Sequence, residues 1–129
     1  MLTRRMRVQI RRDVLRSILA WARERHPNEI VLLLRGQVDK EIARVDEFLF
    51  PPYASGGRGF AQFPAHMLPI DFSVIGTVHS HPAGSPRPSP TDLNKFYGKV
   101  MMIVAYPYRE DCVGANDSRG ESLKIELIV

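Results

Sequence analysis

Phe72-Ser73-Val74-Ile75-Gly76-Thr77-Val78-His79-Ser80-His81-Pro82 is the stretch on which the reading of this chain turns. Residues 72–79, with their aromatic and β-branched side chains, predict a strand that runs straight into a His-x-His pair. Side chains alternate in extended chain, so His79 and His81 project to the same side. Pro82 stiffens the exit, and a proline-rich loop follows to Pro90. Ser89-Pro90-Thr91-Asp92 then opens a short helix, expected over residues 90–97, which returns the Asp92 carboxylate. Two imidazoles and one carboxylate are donors of the kind that hold a catalytic zinc while leaving a fourth position for water. Such a metal brings the pKa of bound water down to about 7, so hydrolysis is the first reaction to consider.

Each piece of this pattern has an ordinary reading. Ser89-Pro90-x-Asp92 is also a standard helix start, with Ser as N-cap, Pro at the first position and an acid at the third. His-x-His pairs are common on exposed strand ends. The coincidence of both histidines, the serine and the aspartate at one spacing favours a site, and capping and catalysis are compatible there. His26 and His66 have no such company and read as partly buried histidines. Asp71 and Glu47 read as isolated, solvated carboxylates.

Outward from the motif, residues 11–25 carry Val14, Leu15, Ile18, Leu19 and Ala22 at the spacing of an amphipathic helix. Pro27 and Asn28 end it. Residues 29–35 (EIVLLLR) read as a strand buried on both faces, Gly36 turns the chain, and residues 41–50 supply a partner strand. The glycine-rich segment 55–59 reads as a surface loop, because no Gly-Lys-Ser/Thr follows to make it a phosphate cradle. Residues 99–106 form an apolar strand. Residues 112–115 and 122–129 predict a closing hairpin around Asn116-Asp117-Ser118-Arg119-Gly120. Helix, strands, short helix and strands in this order indicate an α/β domain, a mixed sheet flanked by helices.

At 129 residues the chain is expected to be one domain, residues 1–129. No apolar run reaches membrane-span length. The basic start has no apolar stretch behind it, so no signal peptide and a cytoplasmic location are expected. The single cysteine, Cys112, can close neither an internal disulfide nor a cysteine zinc cage. The net charge is +4, with Arg4, Arg5, Arg7, Arg11, Arg12 and Arg16 clustered at the start. That cluster reads as a solvated face; a nucleic-acid footprint is the alternative, and nucleic acid is not the expected partner.

His79-x-His81-Pro82-x6-Ser89-x-x-Asp92 resembles, element for element, the signature of the JAMM (MPN+, Mov34/Pad1-type) zinc metalloproteases. Upstream, His26-Pro27-Asn28-Glu29-Ile30-Val31 resembles the family's glutamate-bearing strand start. Met67-Leu68-Pro69, Gly76-Thr77-Val78 and Ala105-Tyr106-Pro107-Tyr108 are similar to the flanks of small stand-alone archaeal members. The resemblance implies a cytidine-deaminase-like α/β/α sandwich, with one Zn2+ per chain ligated by His79, His81 and Asp92. It implies that Glu29 deprotonates the attacking water and then protonates the departing amine, while Ser89 donates a hydrogen bond to the oxyanion. The implied substrates are conjugates of ubiquitin-like proteins, cut after the Gly-Gly tail. Alternatives are a peptidase that processes sulfur-carrier precursors and a non-catalytic MPN scaffold. Gly59-Phe60-Ala61 is expected to pair with the extended tail by strand addition. Leu32 and Arg35 depart from the family pattern and are expected to affect packing only.

Overall fold

The computed structural model describes residues 5–51, 55–57, 60–62 and 71–129. Its first element is a strand, β1 (Arg7–Arg11), where the sequence suggests only a basic arm. Val8 and Ile10 alternate inward between Arg7, Gln9 and Arg11, so period-two patterning is present beneath the charge. Helix α1 (Arg12–Arg25) follows directly and buries Leu15, Ile18, Leu19 and Ala22 along one stripe.

Strands β2 (Val31–Val38) and β3 (Ile42–Leu49) pair antiparallel. The turn between them is closed by Asp39, whose Oδ1 accepts the amides of Glu41 and Ile42, both at 2.8 Å. Gly36 does not turn the chain as expected. It lies inside β2 at a register shift, where a Cβ would stand 1.7 Å from the Arg44 carbonyl oxygen. Short strands β4 (Ser55–Gly57) and β5 (Phe60–Gln62) form a separate antiparallel pair. After them come β6 (Val74–His81), α2 (Pro90–Asn94), β7 (Val100–Ala105), β8 (Val113–Asn116) and β9 (Ile125–Ile128). Helix α2 stops three residues short of the expected Tyr97.

The main sheet has seven strands in the order β8-β7-β6-β2-β3-β1-β9. The expected hairpin of the last two strands is therefore wrong: β8 and β9 lie at opposite edges. Only a single bridge, Asn116 to Ser122, follows the anticipated turn. Strand β9 instead runs parallel to β1, with Ile10 opposite Leu127. The hairpin expectation fails because β1, the true partner, looks like a charged arm in the sequence.

One face of the sheet contributes Val8, Ile10, Leu32, Leu34, Ala43, Val45, Val78, Met102 and Val104 to a single core with the buried stripe of α1. Their register neighbours Leu33, Thr77, His79, Met101 and Ile103 are also buried but face the other way. Helix α1 thus covers one face. The histidines and α2 occupy the other, which makes this a mixed α/β sheet flanked by helices. Among the described residues, no helix is long and apolar enough to cross a membrane.

The described arginines of the N-terminal cluster are all engaged with carboxylates. Arg5 meets Glu121, Arg7 meets Glu126, Arg11 meets Asp13, and Arg12 and Arg16 share Glu110. Such exposed pairs add little stability. Asp71 and Glu47 are not the isolated carboxylates expected: both pair with Arg35, and Asp71 also accepts the Ser73 amide at 2.9 Å.

Candidate metal centre

Strand β6 delivers the two imidazoles because its neighbours hold its register on both sides. His79 lies opposite Val31 of antiparallel β2 and Ile103 of parallel β7, and His81 lies opposite Ala105. Gly76 allows this close pairing, since a Cβ there would stand 1.9 Å from the Val100 carbonyl oxygen. His79 is 7% exposed, while His81 and Asp92 are half-buried.

The donor atoms converge. His79 Nε2 and His81 Nε2 are 3.1 Å apart. Asp92 Oδ1 lies 3.3 Å from the first and Oδ2 3.1 Å from the second. With zinc bonds of about 2.0 to 2.1 Å, neighbouring corners of a tetrahedron stand about 3.3 Å apart, so the three donors fit a tetrahedral zinc. His81 Nδ1 lies 2.8 Å from the Ser85 carbonyl oxygen. A carbonyl only accepts, so Nδ1 carries the proton and Nε2 presents its lone pair to the site.

Asp92 is held by the capping box that the sequence allows as an alternative to ligation. The Ser89 amide donates to Asp92 Oδ2 at 2.8 Å, and the Asp92 amide donates to Ser89 Oγ at 3.1 Å. Both readings of this segment coexist: the cap aims the carboxylate at the histidines. Burial pushes the Asp92 carboxyl up, but the close approach of His79, the hydrogen bond from the Ser89 amide and the two neighbouring imidazoles hold it well below the usual range. The carboxylate therefore stays ionised, as a metal ligand must.

Glu29 sits at the mouth of β2, two residues before the partner of His79. Burial raises its carboxyl, His81 and His79 oppose that rise, and Asp92 adds to it. Among the described residues no hydrogen bond reaches this carboxylate. Ser89 is exposed, and because its oxygen accepts from Asp92, its own proton remains available to donate. The five residues expected at the site are thus placed as follows: His79, His81 and Asp92 come together, Ser89 is bonded to Asp92, and Glu29 lies within electrostatic reach of all three donors.

The supports of the site are not visible in the sequence. The carbonyl of Ser85 is a backbone group and leaves no signal. His26, expected to be partly buried, is exposed; its Nδ1 lies 2.7 Å from the Tyr108 hydroxyl and its ring stacks on Tyr106 with centroids 4.8 Å apart. Burial, then the charge of Glu29, raises the Tyr108 phenol, which keeps that hydroxyl protonated. His66, Gly59 and the Met67-Leu68-Pro69 match lie outside the described residues.

Comparison with known proteins agrees with the geometry. Residues 11–117 match the family model described as prokaryotic homologs of the JAB domain. A probable metalloprotease of Haloferax volcanii is 35% identical over 128 residues, covering 94% of this chain and 80% of its own length. A JAB1/MPN domain protein from Archaeoglobus fulgidus superposes with a TM-score of 0.69 at 33% identity, covering 96% of this chain and 98% of that one. A further structure, described as JAMM, a metalloprotease-like zinc site in the proteasome and signalosome, gives a TM-score of 0.68 at 34% identity, covering 97% and 99%.

Proposed function

The chain belongs to the prokaryotic JAB-domain family, and from that premise we propose that it is a zinc peptidase cutting after the C-terminal Gly-Gly of a ubiquitin-like modifier. The bond cleaved is an isopeptide or peptide bond to a target amine. The observation that carries the metallopeptidase reading is the convergence of His79, His81 and Asp92 on one point, with the His81 tautomer set by Ser85.

His79, His81 and Asp92 would hold one zinc per chain. When bound, the metal supplies a Lewis acid that polarises the scissile carbonyl and acidifies water. The Glu29 carboxylate accepts the proton of the attacking water and returns it to the leaving amine. The Ser89 hydroxyl donates to the oxygen on which negative charge develops. The hydrogen bond from His81 Nδ1 to Ser85 keeps the imidazole from rotating while charge redistributes.

The choice of a Gly-Gly tail is supported by the separate β4–β5 ribbon. Among the described residues each strand of this ribbon keeps an outer edge, and an extended tail without side chains can pair with β5. Deleting residues 56–59 is expected to raise KM steeply with kcat little changed; unchanged kinetics would exclude β5 as the docking strand.

The test of the whole reading is zinc content together with cleavage of a ubiquitin-like–lysine isopeptide conjugate, with and without chelator. One zinc per chain and chelator-sensitive cleavage are expected. Zinc without cleavage of that conjugate, or of a linear Gly-Gly precursor, would overturn the substrate assignment. Absence of zinc would leave a scaffold.

A further inference from the structure

The serine between the two histidines takes no part in the chemistry proposed above, yet it is completely buried. It points away from His79 and His81, towards the face covered by α1. Its Oγ accepts the Ile30 amide at 2.9 Å, and its own amide donates to the Ile30 carbonyl at 3.1 Å. Ile30 directly follows Glu29, and β2 begins only at Val31. At this end of the β2–β6 pairing the backbone supplies only one of the two bonds, from the Ser80 amide to the Ile30 carbonyl, and the Ile30 amide is received by a side chain.

We propose that Ser80 is the positioning residue for Glu29, registering the base-bearing segment against the strand that carries both histidines. This rests on the reading of Glu29 as the base. The place of the Glu29 carboxylate follows the backbone that carries it. That backbone is anchored downstream by the Ser80–Ile30 pair and upstream by the Asn28 amide, which donates to Arg25 at 2.9 Å. Three consecutive residues of β6 therefore fix both halves of the site: the outer two aim donors into one face, and the middle one pins the base segment from the other. Replacing Ser80 by Ala would strand a buried amide at Ile30, and the segment would move to satisfy it. A shift of about 1 Å in a reacting group lowers turnover by roughly 100-fold.

The experiment compares zinc-loaded wild type with Ser80→Ala and Ser80→Thr, the latter keeping the hydroxyl. Four quantities are read: zinc per chain, kcat and KM on a Gly-Gly–lysine conjugate, amide hydrogen exchange, and the NMR signal of the Glu29 carboxyl carbon. Ser80→Ala should speed exchange at Ile30 by at least about tenfold, leave Leu32 and Leu34 protected, and shift the Glu29 signal. It should lower kcat by roughly 10- to 100-fold with KM and zinc content unchanged. Ser80→Thr should restore each value towards wild type. Should Ser80→Ala not fold, Ser80→Cys, similar in shape but a weaker acceptor, is expected to show the same pattern in smaller measure.

Wild-type kcat in Ser80→Ala, loss of activity that only tracks loss of zinc, or faster exchange spread along all of β2 would each overturn the proposal. If wild type cleaves no Gly-Gly substrate, the peptidase reading fails by itself. The Ile30 exchange rate and the Glu29 signal then still decide the role of Ser80.

Discussion

Ser89 is the residue at which capping and catalysis can be pulled apart. Its oxygen accepts the Asp92 amide at 3.1 Å, so Ser89→Ala removes an N-cap bond worth about 1 kcal/mol. The reciprocal bond, from the Ser89 amide to Asp92 Oδ2 at 2.8 Å, belongs to the backbone and survives the substitution. If the whole cap energy were lost from the zinc-bound state, affinity would fall only about fivefold, since about 1.4 kcal/mol is tenfold. Loss of an oxyanion donor is larger, about 100- to 1,000-fold in kcat. Ser89→Gly sharpens the contrast, because glycine caps almost as well as serine but has no hydroxyl. Zinc affinity by competition with a chromophoric chelator, and kcat at saturating zinc, are the paired assays. Both variants should hold zinc within about tenfold of wild type while kcat falls at least about 100-fold. A kcat that falls no further than zinc occupancy would show that Ser89 is a helix cap alone.

Glu29→Gln should keep zinc and lower kcat by about 100- to 10,000-fold, read by metal analysis beside steady-state kinetics. Its effect on stability has a definite sign. Burial raises the Glu29 carboxyl, so the ionised form is disfavoured in the folded state above the usual carboxylate range. In the metal-free protein Glu29→Gln should therefore raise Tm at pH 7, a gain that vanishes near about pH 3.5, where Glu29 is neutral folded or unfolded. A gain that persisted in acid would point to packing. Asp92→Ala should lose zinc and activity together, and chelator should lower the Tm of wild type but not of this variant. Gly76→Ala forces a Cβ against the Val100 carbonyl and should break the β6–β7 pairing, abolishing soluble expression or lowering Tm sharply; a wild-type melt would contradict the pairing of Gly76 with Val100.

The site is more legible in the sequence than the sheet around it. His79 and His81 sit two apart in a strand whose apolar character is unambiguous, so period two alone aims them together. Asp92 is marked by the residues that cap its helix. Out of reach are contacts made by backbone atoms or by residues far apart in sequence. The Ser85 carbonyl has no side-chain signature, and Ser80 gains its meaning only from Ile30, fifty residues earlier. Strand β1 is obscured because Arg7 and Arg11 draw attention to charge, although Val8 and Ile10 alternate between them. That miss produces the second one: with β1 unseen, β9 has no partner except its neighbour in sequence. Gly36 misleads for a related reason, since a glycine inside a strand marks close approach as often as a turn.

The pairing of β1 with β9 joins residues separated by more than a hundred positions, Gln9 to Glu126 among them. A nascent chain therefore makes β1 long before β9 and must wait until residue 128 exists before that strand is covered on both sides. Until then β1 is an open edge, and helix α1 has no finished sheet to lie on. Contacts of such long sequence separation slow folding and lengthen the exposure of unpaired strands. Removing β9 would be expected to turn an interior strand into a sticky one, so aggregation rather than loss of chemistry should be the first sign of damage at that end.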